Sequence, residues 1–335
     1  MKKYFKHHYY KYPQSGIQDY LKLLKQICYG PKHFFKSEKD SLEKLTEEIK
    51  SLGTDPFYED LYEPVGPDFV RINLRPFVSL GLDVKWLNSA FLKSVGTNPH
   101  IDINVACEEL SLFLQEIFSK EEVEREIEKY RTEGFPTLSH SGKYREAYRP
   151  AYRIVDVRFI DSAMKTLQIK NFLNRLPRKD LTVLAIDGPS ASGKSTISER
   201  LEDVATVIHA DDFFDGSDAI IGINSERIKE EVLLPLHAGA PLEYRRFNCT
   251  EQVFVQERID AVKPIVILEG VYSANSRLRD FFDAVIYCDI PLEEQLTRLK
   301  NRSERLFPRF LNEWLPREKK YFQDEEIFEN SDLIV

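Results

Sequence analysis

Gly188-Pro189-Ser190-Ala191-Ser192-Gly193-Lys194-Ser195, followed by Thr196, carries the spacing G-x-x-x-x-G-K-[ST]. The apolar run 181–186 stands immediately before it and a helical pattern over 194–203 after it, the context that a phosphate-cradling loop requires. Glycines let the loop turn its N–H groups inward around phosphate oxygens, and the helix N-terminus behind adds partial positive charge. In this arrangement Gly188, Ser190, Ala191, Ser192, Gly193, Lys194, Ser195 and Thr196 hold a nucleotide. Lys194 reaches the β and γ phosphates and the Ser195 hydroxyl ligates Mg²⁺.

Working outward, 179–335 alternates in type. Strands are expected at 181–186, 206–209, 264–268, 284–288 and 332–335, with helices at 194–203, 226–237, 277–282 and 292–306 between them. Short apolar strands separated by helices indicate an α/β domain whose parallel sheet is covered on both faces. The guanine-reading N-K-x-D, a Gly-rich signature helix and a strand ending Asp-Glu are all missing, so the loop points to a small acceptor rather than to a GTPase, transporter ATPase or motor. The strand 206–209 runs into Asp211-Asp212-Phe213-Phe214, which puts a carboxylate at the sheet edge where ligands of open α/β sheets bind. Asp211 there can accept a hydroxyl proton and Asp212 is the alternative base; the bland reading is a pair that caps the loop. Glu269 ends the strand 264–268 and is positioned to hold Mg²⁺, giving Ser195, Asp211 and Glu269 as metal candidates. Arg298, Arg302 and Arg305 follow i, i+4, i+7 on one face of a helix that Pro308 must end, and could close over phosphates. Surface pairing is their alternative, since Glu294 precedes Arg298 by four.

Together these residues resemble the uridine kinase-like P-loop kinases of bacteria. The resemblance covers about residues 180–335 and rests on the phosphate loop, Asp211-Asp212-Phe213-Phe214, Tyr244-Arg245-Arg246-Phe247-Asn248-Cys249, Leu268-Glu269-Gly270-Val271-Tyr272-Ser273, and Trp314-Leu315-Pro316-Arg317-Glu318 with Tyr321-Phe322. It implies a five-stranded parallel sheet between helices and ATP- and Mg²⁺-dependent phosphorylation of a nucleoside 5′-hydroxyl. Asp211 falls in the place of the base, with Lys194, Arg298 and Arg302 as catalytic companions. Asp212, Tyr244, Arg246 and Arg305 are the acceptor-side candidates. The stretch 215–224 departs from the expected acceptor segment, which keeps open a kinase for another small hydroxyl metabolite. A nucleotide-dependent switch or binding module is the third reading.

Residues 1–178 read as a mainly helical domain, with helices expected at 17–28, 37–52, 84–95, 103–118, 120–132 and 159–176 and a strand at 69–74. A linker is expected at 176–180, around Pro177. This half resembles a segment found ahead of such kinases, with a role as substrate cover, regulator or partner surface. Tyr144-Arg145, Tyr148-Arg149 and Tyr152-Arg153 repeat every four residues, which stacks Tyr and Arg in helical rows that Pro150 disturbs midway. Those rows could bind an anion or a nucleobase, or the tyrosines could pack inward under the arginines. His33 and His140 could share a pocket.

The acidity is concentrated in one half. Residues 1–178 hold 28 basic and 25 acidic side chains, and 179–335 hold 19 and 30, which together give the net −8 of the 335 residues. That balance disfavours nucleic acid as a partner. A mean hydropathy of −0.40, with no apolar run near 18 residues, disfavours a membrane span. Four cysteines without zinc or disulfide spacing, and a start lacking a signal-peptide apolar stretch, fit a cytoplasmic protein.

Overall fold

The computed structural model describes residues 1–31, 37–52, 59–95, 97, 101–214, 222–248, 251 and 253–335. They form two compact units, Met1–Asp161 and Ser162–Val335. The division falls ahead of the expected linker because the segment before Pro177 belongs to the second unit, where Lys170 pairs with Asp203 at 2.9 Å and Lys165 Nζ donates to the Asp289 carbonyl at 3.0 Å.

The first unit is mainly helical: α1 (Lys2–Lys11), α2 (Ile17–Tyr29), α3 (Glu38–Ser51), α4 (Leu74–Ser79), α5 (Val84–Ser94), α6 (Ile103–Leu114), α7 (Lys120–Thr132) and α8 (Gly142–Tyr148). Short polar side chains start several of them. Ser37, Asp83, Asp102, Ser119 and Ser141 each accept a backbone N–H of the first turn, a cap that contributes about 1 kcal/mol. Tyr20, Leu24 and Ile27 of α2 share one buried cluster with Leu110 and Phe113 of α6 and Phe5 of α1. A three-stranded antiparallel sheet completes the unit, in the order β1 (Tyr62–Val65), β2 (Phe69–Asn73), β3 (Tyr152–Asp156).

The strands β1 and β3 were not expected from the sequence, and β3 corrects the Tyr/Arg helical rows. Only Tyr144 and Tyr148 share α8. Arg149 then turns to a φ of +42°, Pro150 offers no N–H, and the chain extends so that Tyr152 pairs with Asn73 across the sheet. Tyr144 is buried, as the inward-packing alternative requires. His33 lies outside the described residues.

The second unit begins with α9 (Ser162–Leu173) and carries β4 (Thr182–Asp187), α10 (Lys194–Glu199), β5 (Ala205–His209), β8 (Ile265–Glu269), β9 (Ala284–Tyr287) and β10 (Leu333–Ile334). Its five-stranded sheet is parallel throughout, in the order β10-β9-β4-β8-β5. The expected strands each appear within a residue or so, because these runs are apolar on both faces and β4 is buried at every position. This is an α/β architecture built on one parallel sheet. Between β5 and β8 run α11 (Ser225–Ile228), a π turn (Lys229–Leu233), α12 (Leu234–His237) and an antiparallel hairpin, β6 (Leu242–Asn248) with β7 (Val253–Ile259). The hairpin was not expected, since charged residues at Glu243, Arg245, Arg246, Glu257 and Arg258 mask its apolar alternation.

Between β9 and β10 run α13 (Leu292–Arg302), α14 (Phe307–Arg309), a π turn (Phe310–Trp314) and α15 (Leu315–Asp324). The expected single helix over 292–306 is thus cut short. Ser303 is extended (φ −163°, ψ 100°), and its hydroxyl accepts the Leu306 N–H at 3.3 Å, so Arg305 leaves the row of Arg298 and Arg302.

Candidate functional site

The loop 188–193 joins β4 to α10 at the carboxyl edge of the sheet. Gly188 has a φ of +142°, and a Cβ there would meet the Cys288 carbonyl oxygen at 2.3 Å, so glycine is required for β9 to approach so closely. Ahead of it, Asp187 is fully buried and anchors the loop by accepting four hydrogen bonds. These come from Gly188 N (2.7 Å), Tyr272 N (3.2 Å), Ala274 N (3.0 Å) and the Tyr321 hydroxyl (2.6 Å). Burial pushes its carboxyl up to about 6 against the pull of those donors.

Lys194 is buried. Its Nζ donates to the carbonyls of Gly188 (2.8 Å) and Pro189 (2.9 Å), arching over the loop it would share with phosphates. The Ser192 hydroxyl is buried with no hydrogen-bond partner among the described residues. An orphaned hydroxyl inside the loop is costly unless a ligand oxygen meets it. Ser190 is held by Glu318 of α15, whose carboxylate accepts its N–H at 2.9 Å and also its hydroxyl. Gln295 Nε2 donates to the Ser190 carbonyl at 3.0 Å. Burial raises the Glu318 pKa, with the Ser190 hydrogen bonds opposing.

Three strand ends bring the remaining groups together. Ser195 Oγ donates to Glu269 Oε1 at 3.2 Å, and His209 Nδ1 lies 2.6 Å from the same oxygen. His209 and Glu269 are register partners on β5 and β8, and the hydrogen bond to Glu269 raises the histidine's pKa. Asp211 follows on a 3₁₀ turn, crowded by protein yet open to solvent on its outer side. Burial and then the Glu269 charge raise its pKa, while Lys194, His209 and Arg302 oppose the rise, so all five groups share one field.

Asp212 belongs to a neighbouring group. Burial holds its carboxyl at about 6, with His209 and Arg246 lowering it and Asp211 and Glu257 raising it. Arg246 Nε pairs with Glu257 across the hairpin at 2.9 Å. The Tyr244 ring is buried and stacks on Phe213 at 5.2 Å, with its hydroxyl pushed up to about 12 by burial and by Asp212. Arg298 NH1 donates to the Ala191 carbonyl at 3.1 Å and its NH2 pairs with Glu294 at 2.5 Å, so the expected surface pair is present and the side chain also lies against the loop. Arg305 is exposed in the turn after α13. The divergent stretch after Phe214 lies outside the described residues as far as Ile221, as does Cys249.

Sequence reasoning missed Asp187, His209 and Glu318. For His209 a signal existed: a polar residue ending an apolar strand just before Asp211. The other two act over long separations, 134 positions from Asp187 to Tyr321 and 128 from Ser190 to Glu318, which no local pattern records.

No protein-family model matches the chain, and no curated protein matches it. Among solved structures it is similar to a possible uridine kinase from Bacillus stearothermophilus, with 19% identity over 51% of this chain and 96% of that one and a TM-score of 0.41. It is also similar to a candidate fructose transport system kinase from Silicibacter sp. TM1040, with 18% identity over 51% and 98% of the two chains and a TM-score of 0.39. Both of these neighbours are described as kinases, and each covers about half of this chain.

Proposed function

We propose that the second unit is an ATP- and Mg²⁺-dependent phosphotransferase that moves the γ-phosphoryl group to a hydroxyl acceptor, the 5′-hydroxyl of a nucleoside such as uridine or cytidine. One observation carries this reading. A phosphate loop, a hydroxyl–carboxylate pair and a second carboxylate of raised proton affinity meet at the carboxyl edge of one parallel sheet. A nucleotide sensor needs the first two; the third is what an acceptor hydroxyl needs.

The residues present suit the group they would hold. Ser195 Oγ and the Glu269 carboxylate are hard oxygen donors already 3.2 Å apart, with Asp211 in the same field, and the unpartnered Ser192 hydroxyl sits within the loop. Magnesium, when bound, screens the charge of the β and γ phosphates. Lys194 Nζ would turn from the Gly188 and Pro189 carbonyls to those phosphate oxygens. Arg298, against the loop at Ala191, and Arg302, in the field of Asp211, would stabilise charge on the group in transit. Asp211 would take the proton from the acceptor hydroxyl as the new P–O bond forms.

The nucleoside assignment rests on the resemblance carried by Asp211-Asp212-Phe213-Phe214 and by the segment from Tyr244 to Asn248. In it Tyr244 falls where the nucleoside is contacted, with Asp212, Arg246 and Arg305 as the other acceptor-side residues; Tyr244 stacks on Phe213, and Arg305 stands outside the row of Arg298 and Arg302. The first unit carries none of these groups and would serve as substrate cover, regulator or partner surface. Cys28, Cys107 and Cys288 are buried, and a cytoplasmic location belongs to the same proposal. No helix among the described residues is long and apolar enough to cross a membrane.

The test is ATP consumption with and without a panel of nucleosides, sugars and pantothenate-like alcohols. Stimulation by uridine or cytidine is expected. Stimulation by another alcohol alone would move the acceptor, and acceptor-independent hydrolysis alone would favour a nucleotide switch.

A further inference from the structure

A cavity of about 530 Å³ opens in the first unit between α2, α3 and β3. Among the described residues Lys22, Lys25, Lys44 and Arg153 line it with one carboxylate, Glu48, and counting Asp40, the partner of Lys44, the balance is four positive charges to two negative. Arg153 pairs with Glu48 at 2.6 Å and Lys44 with Asp40 at 3.2 Å. Lys22 donates instead to a neutral acceptor, the Leu138 carbonyl, at 3.0 Å. Burial, and then the charge of Arg71, brings its pKa down to about 8 despite Asp19. A lysine held this way is stabilised by any anion that enters.

One wall is a fixed polar chain. His140 Nδ1 lies 3.1 Å from Asp19 Oδ1, its Nε2 lies 2.8 Å from the Tyr152 hydroxyl, Gln26 Nε2 donates to that hydroxyl at 3.0 Å, and Arg71 donates to Gln26 Oε1 at 2.7 Å. Behind it the buried Arg71 Nε has no hydrogen-bond partner among the described residues. The remaining wall is apolar, from Phe91, Leu138 and Ile154. A cavity that serves packing alone is lined by apolar groups. Here cations gather beside apolar side chains, with Arg153 over the Phe91 ring at 5.8 Å, in a volume suited to a small metabolite.

We propose that this cavity binds an organic phosphomonoester with a planar or apolar body, of the size and kind of a nucleoside monophosphate. The phosphate lies among Lys22, Lys25 and Lys44, and the body lies against Phe91, Leu138 and Ile154. A dianion answers the charge excess better than a monocarboxylate does, and lysines bind phosphate as point charges. The inference stands on the first unit alone, whether or not the second unit transfers phosphate.

Calorimetric titration of the full chain with uridine monophosphate, uridine and inorganic phosphate tests it. The part of the uridine monophosphate binding that Lys22→Gln weakens is expected to be at least tenfold tighter than any part so weakened for uridine or phosphate, while binding that the variant keeps unaltered belongs to the second unit. Lys22→Gln, and Lys44→Gln on the exposed side of α3, should each weaken the first-unit binding about five- to tenfold, while Lys194→Ala leaves it unchanged. Binding lost in Lys194→Ala but kept in both glutamine variants would place the ligand in the second unit and overturn the proposal. Phosphate binding as tightly as the nucleotide, or no binding of any probe at millimolar concentration, would overturn it as well.

Discussion

Replacing Gly188 with alanine separates what the phosphate-loop geometry demands from what a glycine contributes anywhere. The φ of +142° already disfavours an L residue, at about 1–3 kcal/mol. The added Cβ would lie 2.3 Å from the Cys288 carbonyl oxygen, whereas real Cβ atoms keep beyond 3.0 Å. Cys288 cannot simply retreat, because its N–H donates to the Asp187 carbonyl at 2.8 Å and its neighbour Tyr287 is in register with Asp187. Forcing such a contact costs a further 1–3 kcal/mol or so, for a total of about 2–6 kcal/mol. Gly239 is the control: its φ is +66°, and a Cβ there meets nothing within 4 Å, so Gly239→Ala carries the backbone term alone, about 1–2 kcal/mol. Urea unfolding of both variants, with hydrogen exchange at β4 and β9 reporting on the second unit, measures the difference. Gly188→Ala should lose more stability than Gly239→Ala, by about 2–3 kcal/mol at the middle of the two ranges, with lost protection concentrated at β4 and β9. Equal losses would refute the close approach of β9 to the loop.

Lys194→Ala should weaken ATP binding about 10- to 100-fold, the range for removing a charge-assisted hydrogen bond to phosphate, and unaltered binding by calorimetry would contradict the cradle. Asp211→Asn should keep ATP affinity while acceptor phosphorylation falls about 10²- to 10⁴-fold, and normal turnover would move the base to Asp212. In the first unit, burial holds His140 neutral, with a pKa of about 4 against 6.5 unfolded. Its folded pKa is the lower one, so its contribution is complete above pH 6.5 and is lost as pH falls from about 6.5 to 4, about 3 kcal/mol in all. His7, also at about 4 through burial, adds to the same slope. His140→Gln should flatten the fall of the first unit's urea midpoint between pH 6.5 and 4, and an unchanged slope would show that His140 does not titrate in this window.

The sheet was legible because its strands are short, apolar and bounded by turn residues, and because the phosphate loop fixes which strand precedes it. Glu269 and Asp211 were legible for the same reason: each follows an apolar run whose end marks the carboxyl edge. His209 stood in the same text, but its partner became visible only once β5 lay beside β8 in register, with Glu269 directly opposite. Periodicity records which side of an element is buried; it carries no information on which strand lies next to which. It also misleads where two structures share one spacing. Tyr144, Tyr148 and Tyr152 recur every four residues, yet a left-handed Arg149 and Pro150 end the helix, and Tyr152 reaches His140 from a strand instead. Arg305 makes the same point for the site itself. It joins the row of Arg298 and Arg302 only if the helix persists, and the Ser303 hydroxyl, by taking the Leu306 N–H, starts a new turn after Arg302. Charge on a phosphoryl group in transit would therefore be answered from α13 by Arg298 and Arg302, and an Arg305→Ala variant should lose far less turnover than either Arg298→Ala or Arg302→Ala.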